Sequence, residues 1–105
     1  MNKLKGFQKK HLRGLAHNLK PVVLIGQKGL TGELIKSADQ ALDKHELIKI
    51  KFNEFKEKDQ KAEITEELCK KTRAELAGTI GHIAILYREQ EDPEKKKIFL
   101  PEQNR

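Results

Sequence analysis

The sequence has little of what secreted, membrane-spanning or metal-binding proteins depend on. A single cysteine among 105 residues, Cys69, excludes an internal disulfide framework and a zinc site built from several thiolates. No stretch of about 18 apolar residues could cross a bilayer, and the N-terminus lacks the apolar segment of a secretion signal. We therefore expect one small cytoplasmic domain without a metal or cofactor.

Acidic residues are absent from the first 32 positions, although the whole chain has 16 of them. The same segment has seven lysines and arginines, so it accounts for more than the entire net charge of +6. Elsewhere the charges nearly cancel. Because the segment also contains core-type apolar residues and a glycine-rich loop, the pattern favours a folded surface for a polyanion over a solubilising tail.

Apolar residues spaced by three and four positions predict a helix over residues 3–17. Asn18 and Pro21 mark its end. Basic residues about one turn apart form a second stripe on this helix, which we expect to face solvent. The basic residues are Lys9, Lys10 and Arg13, and Lys20 follows shortly after the helix.

A strand, a glycine loop and a helix come next, and this unit is the most informative part of the chain. Residues 22–25 are a continuous apolar run, typical of a central strand covered on both faces. Thr31 is the expected N-cap of a helix over 31–44. The loop between them is Gly26-Gln27-Lys28-Gly29. Glycines allow close approach to the backbone, and a helix N-terminus beside a lysine favours phosphate, although a tight structural turn would have the same sequence.

The second half of the chain continues the alternation of strands and helices. Period-two residues predict a half-buried strand over 46–52, and a helix follows over 59–74. Strands at 75–80 and 83–88 flank Gly81-His82, which fits a two-residue turn with glycine first. The order α-β-α-β-α-β-β predicts a single small α/β domain with parallel or mixed crossovers and a final antiparallel pair.

Residues 89–105 contain many charges and little apolar pattern. We interpret them as a charged C-terminal tail after a domain over residues 1–88. Within the tail, Ile98–Leu100 could lie extended against the domain.

Groups suited to catalysis are scattered. The four histidines lack metal-ligand spacing, and Cys69 falls on the inner side of the third helix, where it is expected to be an inert core thiol. The glycines at positions 26, 29 and 32 match neither the nucleoside triphosphate nor the dinucleotide fingerprint. The sequence therefore predicts no enzymatic activity.

Aromatic residues are also scarce, with no tryptophan, one tyrosine and four phenylalanines. A sheet that stacks RNA bases needs aromatic side chains beside cations on an open face. Phe55 and Tyr87 are the only candidates, and Tyr87 fits a core or rim position better. The composition favours recognition of RNA backbone and shape over base sequence.

Several short segments, taken together and in order, resemble the CRM domain family (chloroplast RNA splicing and ribosome maturation), in its bacterial single-domain YhbY form. The resemblance is dense over residues 7–52 and spans nearly the whole predicted domain. The matching segments are HLRGLAH at 11–17, LKP at 19–21, IGQKGL at 25–30, AL at 41–42, HELIK at 45–49, IG at 80–81 and LYR at 86–88.

This resemblance implies a mixed four-stranded sheet, similar to the C-terminal domain of translation initiation factor three. It implies a non-enzymatic RNA-binding protein that associates with ribosomal RNA in large-subunit precursors and assists ribosome assembly. RNA would contact the glycine loop and the basic helix, through Gly26, Gln27, Lys28, Gly29, Lys9, Lys10, Arg13 and Lys20. The turn before the last strand has His82 where the family often has a basic residue. We expect a monomer.

Two other interpretations stay open at this point. A small nucleotide-binding enzyme or switch could use the glycine loop, but it would need a ribose-binding acid and a metal ligand, and no acid precedes Glu33. A protein-interaction module could use the basic face to dock an acidic partner.

Overall fold

The computed structural model describes residues 4–102, and this range forms three helices and four strands in the predicted order. No helix in this range is both long and apolar enough to span a membrane. Lys3 and the last three residues of the tail lie outside the described residues. The helices are α1 (Gly6–Ala16), α2 (Gly32–His45) and α3 (Lys58–Thr72), and the strands are β1 (Val23–Ile25), β2 (Leu47–Phe52), β3 (Glu75–Ile80) and β4 (Ile83–Tyr87).

The four strands form one mixed sheet in the order β1-β2-β4-β3. β1 and β2 are parallel, whereas β4 is antiparallel to both β2 and β3. The mixed sheet and the final antiparallel pair confirm the predicted fold. Gly81, at φ +56°, begins the predicted two-residue turn between β3 and β4.

This topology brings three connections to one end of the sheet, which we call the loop end. They are the glycine loop after β1, the segment 53–57 after β2, and the turn at Gly81-His82. Backbone hydrogen bonds join them: the N–H of Phe52 donates to His82 O over 2.8 Å, and the N–H of Asn53 donates to Ile25 O over 2.9 Å. The loop end is therefore a continuous surface.

A separate core lies on each face of the sheet. On one face, α2 and α3 cover Val23, Ile25, Ile50 and Phe52 among others. On the other face, which we call the α1 face, Leu12 and Ala16 of α1 pack with side chains of β2, β3 and β4. The helices thus sandwich the sheet.

The prediction of a central first strand covered on both faces is wrong. β1 is an edge strand, and Leu24 on the α1 face is 55% exposed, because α1 lies over the other three strands. β2 is a central strand, and its Leu47 is buried beneath α1. A continuous apolar run indicates a strand, but it does not distinguish an edge strand from a central one.

The described part of the tail, 89–102, has no helix or strand but is held against the domain by Glu46. Glu46 directly follows α2 and is 1% exposed. Its carboxylate accepts the backbone N–H groups of Gln90, Lys97 and Ile98 at 2.9, 2.6 and 2.9 Å. Ile98 and Leu100 consequently pack on the α1-face core, as predicted for this short stretch.

Candidate nucleic-acid interface

The glycine loop is a tight turn with its two polar residues at the tip. The N–H of Gly29 donates to Gly26 O over 3.0 Å, which leaves Gln27 and Lys28 at the central, exposed positions. Gly29 is buried at φ +66°, and a Cβ there would lie 3.4 Å from Cε2 of Phe55. The backbone conformation strongly favours glycine at this position, and the ring of Phe55 supports the loop from inside.

The start of α2 lies close to this turn in the chain. The N-cap prediction for Thr31 is confirmed, since its Oγ1 accepts the N–H of Leu34 over 3.1 Å. The preceding N–H groups of the first turn have no acceptor within the helix. Glu33 is exposed in that first turn and already complements the helix dipole. A phosphate here would therefore depend on the loop amides and Lys28 as well as on the dipole.

The basic residues of α1 differ in how firmly they are held. Lys10 is exposed and Lys9 half-buried. Arg13 is exposed as well, but its Nη1 donates to Ala77 O over 3.1 Å. The prediction of a purely solvent-facing stripe is therefore incomplete, because Arg13 is fixed on β3.

A bulge in β3 creates the site against which the side chain of Arg13 packs. The register with β4 shifts between Leu76 and Gly78. A Cβ on Gly78 would lie only 2.5 Å from Cδ of Arg13, so the absence of a side chain at this position lets the arginine stem lie against the strand. The bulge thus fixes a cation on the α1 face, midway along β3.

The flank of α1 that contains Arg13 faces the loop end. Arg13 and Leu15 lie on opposite sides of the buried stripe formed by Leu12 and Ala16. Leu15 lines a groove of about 430 Å³ with side chains at the beginning of β2 and in the tail, at the opposite end of the sheet. The arginine side of α1 and the glycine loop therefore border the same stretch of the α1 face.

Lys20 is not part of this arrangement. It precedes β1, whereas the glycine loop follows β1, so the two lie beyond opposite ends of this strand. Lys20 instead lines the groove at the far end of the sheet. Of the eight predicted RNA-binding residues, the four of the loop lie together after β1, and Arg13 lies on β3 at the other edge of the sheet.

Within the part of the chain that the structure describes, the cations of this surface have no acidic partners. Within residues 4–102, the ion pairs join Lys71 to Glu67, Arg88 to Asp39, and Lys96 to Glu46 and Glu89. None of them involves a predicted RNA-binding residue. These charges are consequently available to an external anion.

Three contributors to this surface were missed from the sequence. Lys51 is exposed on the α1 face of β2, and the alternation of that strand was the signal that could have identified it. Lys61 of α3 donates its Nζ to Gly81 O over 2.8 Å and so braces the hairpin turn. The role of Gly78, against which Arg13 packs, could not be predicted, because nothing in the sequence of β3 indicates a bulge.

The groups considered for other chemistry do not form a site. Burial, with a smaller effect from the charges of Glu75 and Glu66, raises the pKa of the Cys69 thiol from 9.0 to about 11, so this thiol is protonated at neutral pH. The described range, 4–102, has no cluster of three histidine, cysteine or acidic residues able to hold a metal. Tyr87 is buried, as predicted, and Phe55 supports the loop from inside.

Comparisons with known proteins give consistent results. Residues 4–88 match the family described as the CRS1 / YhbY (CRM) domain. An RNA-binding protein of Haemophilus influenzae is 42% identical over 101 residues, which cover 96% of this chain and 98% of that relative. A probable RNA-binding protein of Bacillus subtilis is 40% identical over 98 residues, covering 93% and 99%. The solution structure of a hypothetical protein from Staphylococcus aureus superposes with a TM-score of 0.79 at 38% identity, covering 94% of this chain and all of that one.

Proposed function

Because the chain belongs to the CRS1 / YhbY (CRM) domain family, we propose that it is an RNA-binding protein that acts by holding RNA and not by catalysis. The observation that carries this proposal is the surface formed by the glycine loop and the arginine side of α1, whose cations have no acidic partners within residues 4–102. The relatives named above as RNA-binding proteins support it.

The two parts of the surface contribute in different ways. At the loop, the backbone around Gly26 and Gly29 can approach a phosphate closely, while Lys28 supplies a mobile charge. On α1, the guanidinium of Arg13 has a fixed position and further donors for phosphate oxygens. Such contacts position an RNA backbone without reading its sequence. Structured RNA, with phosphates from more than one strand, is the natural partner.

The RNA that we propose is ribosomal RNA in precursors of the large subunit, in keeping with the family resemblance. Sedimentation of tagged protein with ribosomal particles, followed by crosslink mapping, tests this assignment. We expect crosslinks from the loop end and α1 to RNA in large-subunit precursors. Crosslinks confined to messenger or transfer RNA would contradict the ribosomal assignment, and a complex insensitive to ribonuclease would indicate a protein partner.

RNA affinity should fall steeply with salt, because each neutralised phosphate releases counterions. With four or five contacts we expect a log–log slope of roughly −3 to −5. Fluorescence anisotropy of a labelled structured RNA over a range of potassium chloride concentrations measures it. Replacing Lys28 by alanine should reduce the magnitude of the slope by about 1. Replacing Lys70, an exposed lysine of α3, by alanine should leave the slope unchanged. A nearly flat slope for the unaltered protein would contradict phosphate-dominated binding.

Gly78→Ala should weaken RNA binding without removing any charge. The added Cβ would collide with Cδ of Arg13 and displace the guanidinium. Since one charge-assisted hydrogen bond is worth about 1.5–3 kcal/mol, we expect at least about a tenfold loss of affinity. Gly14→Ala is the matched control, because nothing lies within 4 Å of its added Cβ.

The same substitution in an Arg13→Ala background isolates the cause. If Gly78 acts only by seating the arginine, Gly78→Ala should then have no further effect on affinity. An additional loss in that background would show that Gly78 contributes independently of Arg13. Unchanged binding of Gly78→Ala alone would show that the position of Arg13 does not matter.

A further inference from the structure

One row of side chains crosses all four strands between Arg13 and the loop end. It consists of Leu24 on β1, Lys51 on β2, Ile83 on β4 and Ile80 on β3. The strand register makes each a direct neighbour of the next: Leu24 pairs with Lys51, Lys51 with Ile83, and Ile83 with Ile80. We call this set the open row.

The four side chains share the α1 face. Ile25, Phe52 and Ala84 belong to the core on the opposite face, and adjacent residues of a strand point to opposite sides. Leu24, Lys51 and Ile83 therefore point toward the α1 face. Ile80 is cross-strand partner to Ile83 and lies on the same side.

α1 does not cover this row. Leu24 is 55% exposed and Ile80 is 60% exposed. Lys51 is exposed too and takes part in none of the ion pairs found within residues 4–102. Ile80 lies beside the half-buried Ile83, and Leu24 lies on the other side of Lys51. Exposed aliphatic side chains along one open row of a sheet indicate a binding surface.

The surroundings of the row identify its occupant. The Arg13 side of α1 borders one side, and the glycine loop, which begins two residues after Leu24, borders the other. An RNA backbone held by those two borders would place its nucleotides over the row. The lysine at the centre, without an acidic neighbour on the row, complements RNA better than it complements an average protein surface.

Duplex RNA does not fit the row, because its bases are paired inside the helix and its accessible minor groove presents polar edges and 2′-hydroxyls. Unpaired bases have apolar faces that can lie on aliphatic side chains. The row spans three inter-strand spacings of about 4.8 Å, or roughly 14 Å, so the face of a base has room to lie on it.

We propose that the open row is a platform for the bases of unpaired nucleotides, beside the phosphate-binding loop. This inference rests on the proposed RNA-binding function and extends it from structured backbone to a single-stranded segment, such as a loop or bulge. None of the four residues of the row is aromatic, so bases would lie on aliphatic side chains there and not on rings.

The test compares two RNA probes of equal length and charge. One is a short unstructured strand, and the other has abasic sites at its central positions. The unaltered protein should bind the intact strand about tenfold more tightly, as expected if roughly 50 Å² of apolar surface is buried. Leu24→Thr with Ile80→Thr should lose this preference while keeping its affinity for the abasic strand and its salt dependence.

Val22→Thr is the matched control. Val22 is 51% exposed and precedes β1 at the end away from the loop, so this variant should retain the preference for the intact strand. Thermal unfolding establishes that each variant is folded. The affinities of the unaltered protein for the intact and the abasic strand can be compared without any variant. This comparison tests the proposal even if the double substitution destabilises the sheet.

The outcomes separate the two proposals. Tight but equal binding of both probes by the unaltered protein would overturn the base platform and leave RNA binding intact, with a protein partner as the remaining occupant of the row. A preference that survives Leu24→Thr with Ile80→Thr would overturn the assignment to these residues. Failure to bind either probe or a structured RNA would overturn the proposed function itself.

Discussion

Two aspartates at the tip of the glycine loop, Gln27→Asp with Lys28→Asp, should abolish most RNA binding in a protein that folds normally. Both positions are exposed, both glycines remain, and aspartate is well tolerated in tight turns. The dipole of the nearby α2 N-terminus also favours negative charge in the free protein. In the complex, the carboxylates would repel the RNA backbone and occupy the loop amides. Losing one or two charge-assisted contacts predicts at least about a tenfold weaker complex.

The control must change the charge by the same amount elsewhere. Gln40→Asp with Lys44→Asp does so on the exposed side of α2 toward its C-terminal end. Binding of both variants is measured at low and high salt, since a general charge effect is screened and the loss of a contact is not. If the loop variant weakens binding no more than the control at high salt, then Gly26–Gly29 is only a structural turn.

Removing the carboxylate of Glu46 should have the largest effect on stability. Its oxygens accept three backbone N–H groups of the tail and lie 3.8 Å from Lys96 Nζ. Glu46→Ala leaves those amides to find water and detaches the tail from the α1-face core. We expect the free energy of unfolding to fall by about 2–4 kcal/mol in chemical denaturation.

Hydrogen exchange locates the effect. The amides of Gln90, Lys97 and Ile98 should exchange faster in Glu46→Ala. Glu89→Ala is the control, because that carboxylate is exposed and, among residues 4–102, pairs only with Lys96. The cost of this substitution should be at most about 1 kcal/mol. A Glu46→Ala protein with unchanged stability and unchanged exchange at these amides would contradict the assigned role.

Signals from residues close together in the chain predicted the helices, strands, caps and turns well. Contacts between residues far apart in the chain were predicted poorly. Periodicity, Thr31 as a helix cap and Gly81 as a turn glycine depend on residues a few positions apart, and the structure confirms them. The position of β1 depends on where α1 lies, which the apolar run at 22–25 does not encode. Glu46 looked like an ordinary charged residue, because its partners lie more than 40 residues further along the chain.

Some residues of the candidate site could likewise be predicted from neighbours in the chain, and others could not. The residues of the glycine loop form a contiguous motif, so their grouping is visible in the sequence. Lys51, Gly78 and the two isoleucines of the open row come together only through strand register. The sequence also grouped Lys20 with the other cations through proximity in the chain, whereas β1 separates it from the loop.

The bulge in β3 has a consequence for behaviour at high concentration. Edge strands with regular, unpaired backbone groups recruit strands from other molecules and so promote aggregation. Here one edge strand, β1, is only three residues long. The other, β3, is interrupted between Leu76 and Gly78, and the carbonyl of Ala77 already accepts a hydrogen bond from Arg13. Neither edge offers a long regular template, so the chain can keep an apolar sheet surface open to its ligand while resisting intermolecular strand addition.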